Sequence, residues 1–299
     1  MAVVLGQNQY GKAETRVVRV FRDSEPHEIV DYNVSVALRG DFTDVHLVGD
    51  NTKCLTTDAT KNTVNAFAIE AGDAVREPES FGLALARHFV DDVPQVERAR
   101  VQLECYPWDR LTHAGSAHPH AFARRGSYVR TVTVTYDGDQ AWIVSGLRDL
   151  VVLKTTDSEF HTFYEDRYTT LAPTHDRIMA SSVTAQWLHT AEDVEWGQSF
   201  DGVLAAMTET FAGHYSLALQ QTMYAMGEAI LADQPELAEV RFSMPNKHHF
   251  VVDLSPYGLE NKNEVFHADD RPYGYIEGTV RRDDAPDPGP AAFDPGQGW

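Results

Sequence analysis

The chain has 299 residues, 42% of them hydrophobic, and a formal net charge of -20. So acidic a protein is poorly suited to nucleic acid or an anionic membrane, both polyanions, and could hold an anionic small molecule only in a local cationic pocket. No apolar run approaches the roughly 20 residues of a membrane span, the opening MAVVLGQNQYGK is too short and polar for a signal peptide, and Cys54 and Cys105 match no metal or redox spacing, which points to a reducing cytoplasm.

The length suits about two domains of roughly 150 residues, and the elements fall into two similar halves. Gly6 to Lys12 fits G-x-x-x-x-G-K, but Ala13 replaces the required Ser/Thr. The following TRVVRV reads as a strand, not a helix, so the segment is a glycine-bearing entry to a first strand at 15–22. A second strand is expected at 34–39. TTDATKNT at 56–63 then precedes a helix at 60–70, with Asp58 or Thr60 as its cap; the same hydroxyls and backbone N–H groups could also face a ligand. A helix at 79–91 carries Phe81, Leu85 and Phe89 at i, i+4, i+8. Strands follow at 96–105 and 128–136. Between them HAGSAHPHAF places His113, His118 and His120 in a Pro- and Gly-containing segment with no partner motif, read as a solvated loop and not a metal site.

The second half repeats the order. Strands are expected at 150–155 and 178–190. A helix at 200–211 has Phe200, Leu204, Met207 and Phe211 on one side, and a helix at 217–232 has Leu219, Met223, Met226 and Ile230. Gln220 lies beside that stripe in the first turn; on physics alone it is an exposed glutamine, although its amide could meet a planar heterocycle. Strands at 238–244 and 247–254 close the half. In SMPNKHHFVVD, Phe250, Val252 and Leu254 share one strand face, and Asn246 and His248 extend it with polar groups. Either solvation at a strand end or a site accounts for them. His248 and His249 point to opposite faces and cannot chelate together. Each half therefore reads ββααββ, an α+β domain with helices on one face of an antiparallel sheet. The expected units are 1–140 and 141–282, followed by a disordered Pro-, Gly- and Asp-rich tail at 283–299. H-E-x-x-H, G-x-S-x-G and G-x-G-x-x-G are all missing, so metalloprotease, serine hydrolase and dinucleotide-binding readings gain no support.

Six segments, taken in order, resemble the urate oxidase (uricase) family: YGK at 10–12, TTDATKNTV at 56–64, SEFHTFYEDRYTTL at 158–171, DRI at 176–178, LALQQTMY at 217–224 and SMPNKHHF at 243–250. Each is weak alone; the ordered set, spanning about residues 3–280, is specific. The resemblance implies the tunnelling fold, two tandem ββααββ units that assemble into a barrel in the oligomer. It also implies a homotetramer with active sites shared between subunits at dimer interfaces, and no metal, flavin or other cofactor. The implied reaction is oxidation of urate by O₂ and water to 5-hydroxyisourate and hydrogen peroxide.

Carried over residue by residue, Lys12, Thr57 and His248 look like the proton-handling trio. Arg177 and Gln220 look like a pincer on the purine edge, and Phe160 like the ring that stacks on it. Asn246 would sit with Thr57 where dioxygen or water binds, with backbone groups at Asp58 and Leu219 completing the contacts. The chemistry suits these types. Arg supplies charge and a planar fork to an anion; Gln both donates and accepts; an aromatic face adds on the order of 1 kcal/mol by stacking. A lysine shielded from water can draw a proton through a threonine hydroxyl, and histidine shuttles protons near neutral pH.

Some features depart from the family pattern. The peroxisomal S-K-L terminus is not found, as expected of a bacterial cytoplasmic enzyme, and Asn65 stands where the family often has an aromatic. Two rivals share the fold: a pterin enzyme, which would anchor its ring with a glutamate, and a purine-binding protein without turnover, which would need Arg177, Gln220 and Phe160 but not Lys12, Thr57 and His248.

Overall fold

The computed structural model describes residues 1–291, so the last part of the tail, 292–299, lies outside the described residues. The chain forms two compact units. One comprises Met1–Gly146, Leu188–Gly197 and the described residues from Asp287; the other comprises Leu147–Trp187 and Gln198–Pro286. None of the described helices is long and apolar enough to cross a membrane.

In the first unit, β1 (Tyr10–Phe21) and β2 (Glu28–Gly40) lead through a short helix α1 (Thr43–Leu47) to α2 (Thr57–Glu70) and α3 (Pro78–Asp91). Then come β3 (Val96–Cys105), a hairpin of β4 (Trp108–His113) and β5 (Ser116–Arg124), and β6 (Val129–Tyr136). The sheet order is β1-β2-β3-β6, antiparallel throughout. Alternate residues of the strands, among them Val34, Val36, Leu38, Val101, Leu103, Val132 and Val134, form one core with the helices. The predicted stripe on α3 is the centre of that core: Phe81, Leu85 and Phe89 are each 0% exposed. Full burial of such a side chain stabilises by about 1.5–3 kcal/mol.

Next along the chain are β7 (Ala141–Lys154), β8 (Met179–His189), α4 (Trp196–Gly213), α5 (Leu219–Asp233) and β9 (Leu237–Ser243); the second unit takes β7 from Leu147, β8 as far as Trp187 and α4 from Gln198. A hairpin of β10 (Asn246–Val251) and β11 (Phe266–Gly274) follows, and β12 (Glu277–Arg281) ends the series. Here the closing strand differs from the expectation. β9 pairs with β8 and β12, so β12 completes the order β7-β8-β9-β12. The predicted strand at 247–254 is instead β10, which ends at Val251 and touches β8 only at Asn246↔Ser181. Phe250 and Val251 are half exposed. Alternation marks an apolar strand face but does not say whether anything covers it, which is why β10 read as the strand that closes the half.

The second unit thus inserts a hairpin between its third and fourth strands, as the first unit does with β4–β5. Helix–sheet packing repeats too. A Cβ on Gly82 of α3 would lie 2.9 Å from a methyl of Val134 in β6, and one on Gly227 of α5 would lie 2.6 Å from a methyl of Val280 in β12. In each unit the second helix meets the closing strand through a glycine.

The His-rich segment expected to be a loop is this β4–β5 hairpin. His113 pairs with Ser116 across Ala114 and Gly115, both at positive φ, a two-residue turn that Asn-Gly or Asp-Gly would have announced more clearly. The cap of α2 is Thr56, whose side chain accepts from Ala59 N–H at 3.0 Å, two residues before Asp58 and four before Thr60, the caps expected.

A polar group sits inside the first unit. Glu79, Ser145 and His189 are 0%, 2% and 7% exposed. The Ser145 hydroxyl donates to Glu79 Oε1 (2.6 Å) and lies 2.9 Å from His189 Nε2; Arg130 donates to the other Glu79 oxygen at 2.7 Å. The serine hydrogen goes to the carboxylate, so Nε2 of His189 carries the next donor. Burial, then the Arg130 charge, push the His189 pKa down to about 3. From about pH 6.5 down to that value, the unfolded chain takes up a proton that the folded one does not. Stability therefore falls with pH by up to about 1.4 kcal/mol per unit. Urea unfolding at stepped pH should show a shallower loss in His189→Gln than in the parent; equal slopes would contradict this role.

Candidate active site

The candidate site residues divide between the units. Phe160, Arg177, Asn246 and His248 line one cleft of about 410 Å³ in the second unit, inside the range of about 300–1,000 Å³ typical of small-molecule sites.

The cleft is built around the loop between β7 and β8. Phe160 pairs with Thr174 through two backbone hydrogen bonds of 2.8 and 2.9 Å, which sets its ring on one wall, stacked on Phe163 with centroids 5.2 Å apart. Arg177 is fixed at two points by Ser158: its backbone N–H donates to the Ser158 carbonyl at 3.0 Å, and its Nε donates to the Ser158 hydroxyl at 3.2 Å. The guanidinium carbon then lies 5.1 Å from the Phe160 ring centroid. Partial burial lowers the Arg177 pKa, and no charged neighbour contributes to the shift. The head of this arginine is therefore a positive charge beside an aromatic face, with its outer nitrogens unpartnered among the described residues. The non-glycine residues Asp157 and Thr162, at φ 58° and 57°, bracket the segment; left-handed backbone at a β-branched residue is uncommon and costs on the order of 1–3 kcal/mol.

Asn246 and His248 enter from β10. Asn246 pairs with both Ser181 and Gly274, and a register shift separates it from His248. Both side chains nevertheless line the same cleft, and the His248 ring stacks on Phe250 at 5.6 Å. The polar start of β10 is thus part of a cavity wall.

Leu219 and Gln220 open α5. Leu219 is buried, while Gln220 is exposed and does not line the cleft. The α5 start is nonetheless tied to Arg177. Ser158 pairs with Ser216, whose hydroxyl accepts from Thr222 at 2.8 Å. Ser158, Ser216 and Thr222 are at most 1% exposed. Sequence reasoning missed these buried hydroxyls; small polar residues next to the motif residues Phe160 and Leu219 were their only signal.

The remaining residues lie in the first unit. Lys12 is on β1, ahead of the bulge between Lys12 and Thr15. Thr57 and Asp58 are exposed in the first turn of α2. The Asp58 carboxylate takes hydrogen bonds from Lys61 (2.6 Å) and Asn62 (2.9 Å), and its pKa is lowered first by Lys61, with a smaller pull from the Lys12 charge. Lys12 and the α2 start are thus neighbours.

Comparison with known proteins agrees with this architecture. The family model described as Uricase matches residues 8–135 and 143–277. A uricase of Arthrobacter globiformis is 48% identical over 281 residues, covering 94% of this chain and 91% of that protein. A uricase of Dictyostelium discoideum is 36% identical, covering 92% and 96%. The crystal structure of the Arthrobacter globiformis uricase superimposes with a TM-score of 0.92 over 96% of this chain and 98% of that one. A urate oxidase mutant from Bacillus sp. TB-90, only 20% identical, still matches the fold at a TM-score of 0.80, covering 93% of this chain and 100% of that one. With a family match over most of its length and relatives well above 30% identity, the chain belongs to the uricase family.

Proposed function

We propose that the protein oxidises urate with O₂ and water to 5-hydroxyisourate and hydrogen peroxide, without a cofactor, in the cytoplasm. The observation that carries the reading is one cleft lined by Phe160, Arg177, Asn246 and His248, in which the Arg177 guanidinium, with no ion-pair partner among the described residues, stands beside the Phe160 ring. Urate is planar, polar at its edge and anionic at neutral pH. An aromatic wall takes its face, and a planar cation takes its edge. Gln220, exposed at the start of α5 and outside the cleft lining, completes the grip on that edge by turning toward the ligand, and the Leu219 and Asp58 backbones add hydrogen bonds.

The redox balance is simple. Urate loses two electrons, and water adds its oxygen to ring carbon C5. Dioxygen takes the two electrons with two protons and leaves as peroxide. Removing a proton from bound urate makes it the stronger reductant. Lys12 acting through the Thr57 hydroxyl, together with His248, moves these protons, and Asn246 with Thr57 holds dioxygen or water over the ring. Lys12, Thr57 and Asp58 come from one subunit and the Phe160–Arg177 cleft from another, in a homotetramer with its sites at dimer interfaces. The half-exposed Phe250 and Val251 of β10 support a partner surface there.

Purified protein with chelator and urate should lose urate absorbance and release one peroxide per urate; saturable urate binding without turnover would instead make it a purine-binding protein. Thr57→Ala or Lys12→Met should lower kcat about tenfold or more with urate binding largely kept, and an unchanged kcat in both would remove the relay. Arg177→Ala should raise KM far more than it lowers kcat, with Ser158→Ala acting in the same direction but more weakly. Equal KM values in parent and Arg177→Ala would exclude the pincer.

A further inference from the structure

Outside the residues assigned above, Glu159, His161 and His175 bring three ligand atoms within 4.8 Å of one another. We propose that they form a binding site for one divalent transition-metal ion of the zinc class. Glu159 Oε2 lies 2.6 Å from His161 Nε2 and 3.6 Å from His175 Nδ1, and the two imidazoles are 4.5 Å apart between centroids. Donors each about 2.0–2.2 Å from a shared tetrahedral ion stand roughly 3.3 Å from one another, so the three atoms need only small adjustments to close around an ion. The donor set, two imidazoles and one carboxylate, suits zinc, nickel or copper better than calcium or magnesium, which prefer all-oxygen shells.

The second oxygen of the carboxylate is already held. The Tyr215 hydroxyl donates to Glu159 Oε1, which leaves Oε2 free to turn toward both imidazoles. Such an outer hydrogen bond to a ligating carboxylate is a regular part of built metal sites. The contrast is the hairpin group of His113, His118 and His120. Its rings stand 4.5 and 6.4 Å apart edge to face, and it belongs to no group of converging ligand atoms among the described residues.

The location gives the site a consequence. Glu159 and His161 flank Phe160, and His175 lies two residues before Arg177. A bound ion would add a third tie between the strands already joined at Phe160↔Thr174. The ion is separate from the turnover proposed above, and its binding stands or falls independently of that reaction.

The test uses the full chain, stripped with chelator and dialysed, titrated with Zn²⁺ by calorimetry and with Co²⁺ by visible absorbance. One Zn²⁺ per chain should bind in the micromolar range, and Co²⁺ should develop d–d bands of a site with nitrogen and oxygen ligands. His175→Ala, a change at a side chain 75% exposed, should leave the fold intact and weaken Zn²⁺ binding about tenfold or more. His161→Ala with His175→Ala should abolish the cobalt spectrum, and replacing His113, His118 and His120 together by Ala should leave both titrations unchanged. No saturable binding below millimolar Zn²⁺, equal affinity in His175→Ala, or loss only in the hairpin variant would each overturn the proposal.

Discussion

Ser158 is the point on which the cleft depends. Its carbonyl and hydroxyl fix Arg177 at two atoms, and its backbone pairs with Ser216 at the approach to α5. An arginine side chain free to rotate has roughly 2 kcal/mol of rotamer entropy to lose on binding; one held at Nε has lost part of it in advance. The residue is 1% exposed, so its side of these hydrogen bonds is shielded from solvent. Everything the cleft can do to a planar anion follows from an arginine that is positioned by a neutral group and so keeps its charge for a ligand.

The two units use the same plan for different ends. Each lays two helices on a four-stranded antiparallel sheet and lets the second helix approach the closing strand through a glycine, Gly82 in one and Gly227 in the other. Each inserts a hairpin between its last two sheet strands. In the second unit that hairpin begins with Asn246 and His248 and lines the cleft; in the first, β4–β5 carries a histidine cluster that does not converge. The repeated helix–sheet packing supplies the core, and the inserted hairpin differs between the units, which is how a repeated fold acquires one specialised wall.

Much of this was legible in the sequence, for reasons tied to particular residues. The stripes of Phe81, Leu85 and Phe89 and of Leu219, Met223, Met226 and Ile230 are buried as their spacing requires, because helix periodicity reports directly on a single covered face. The family resemblance and the tandem α+β fold likewise agree with the matched family and the superimposed crystal structures. Less legible was which strand closes the second sheet: β12, with the short sequence EGTVR, carries little alternation, whereas β10 carries much and is half bare. The Ala114–Gly115 turn escaped because its dipeptide is not a strong hairpin signal. Ser158, Ser216 and Thr222 escaped because a buried hydroxyl in a network and a solvated one look alike in sequence. The convergence of Glu159, His161 and His175 depends on the Phe160↔Thr174 pairing, a contact between residues 14 apart that no local pattern announces.

The central claim is that urate binds against Phe160 and Arg177 of one subunit and meets Lys12 and Thr57 of another. A crystal structure of the protein grown with urate under nitrogen tests it most directly. The account predicts the purine ring stacked on Phe160, its edge on the Arg177 and Gln220 side chains, and the Thr57 hydroxyl of a second subunit within hydrogen-bond distance of the ligand. Urate bound elsewhere, or a complete site formed within a single subunit, would contradict it.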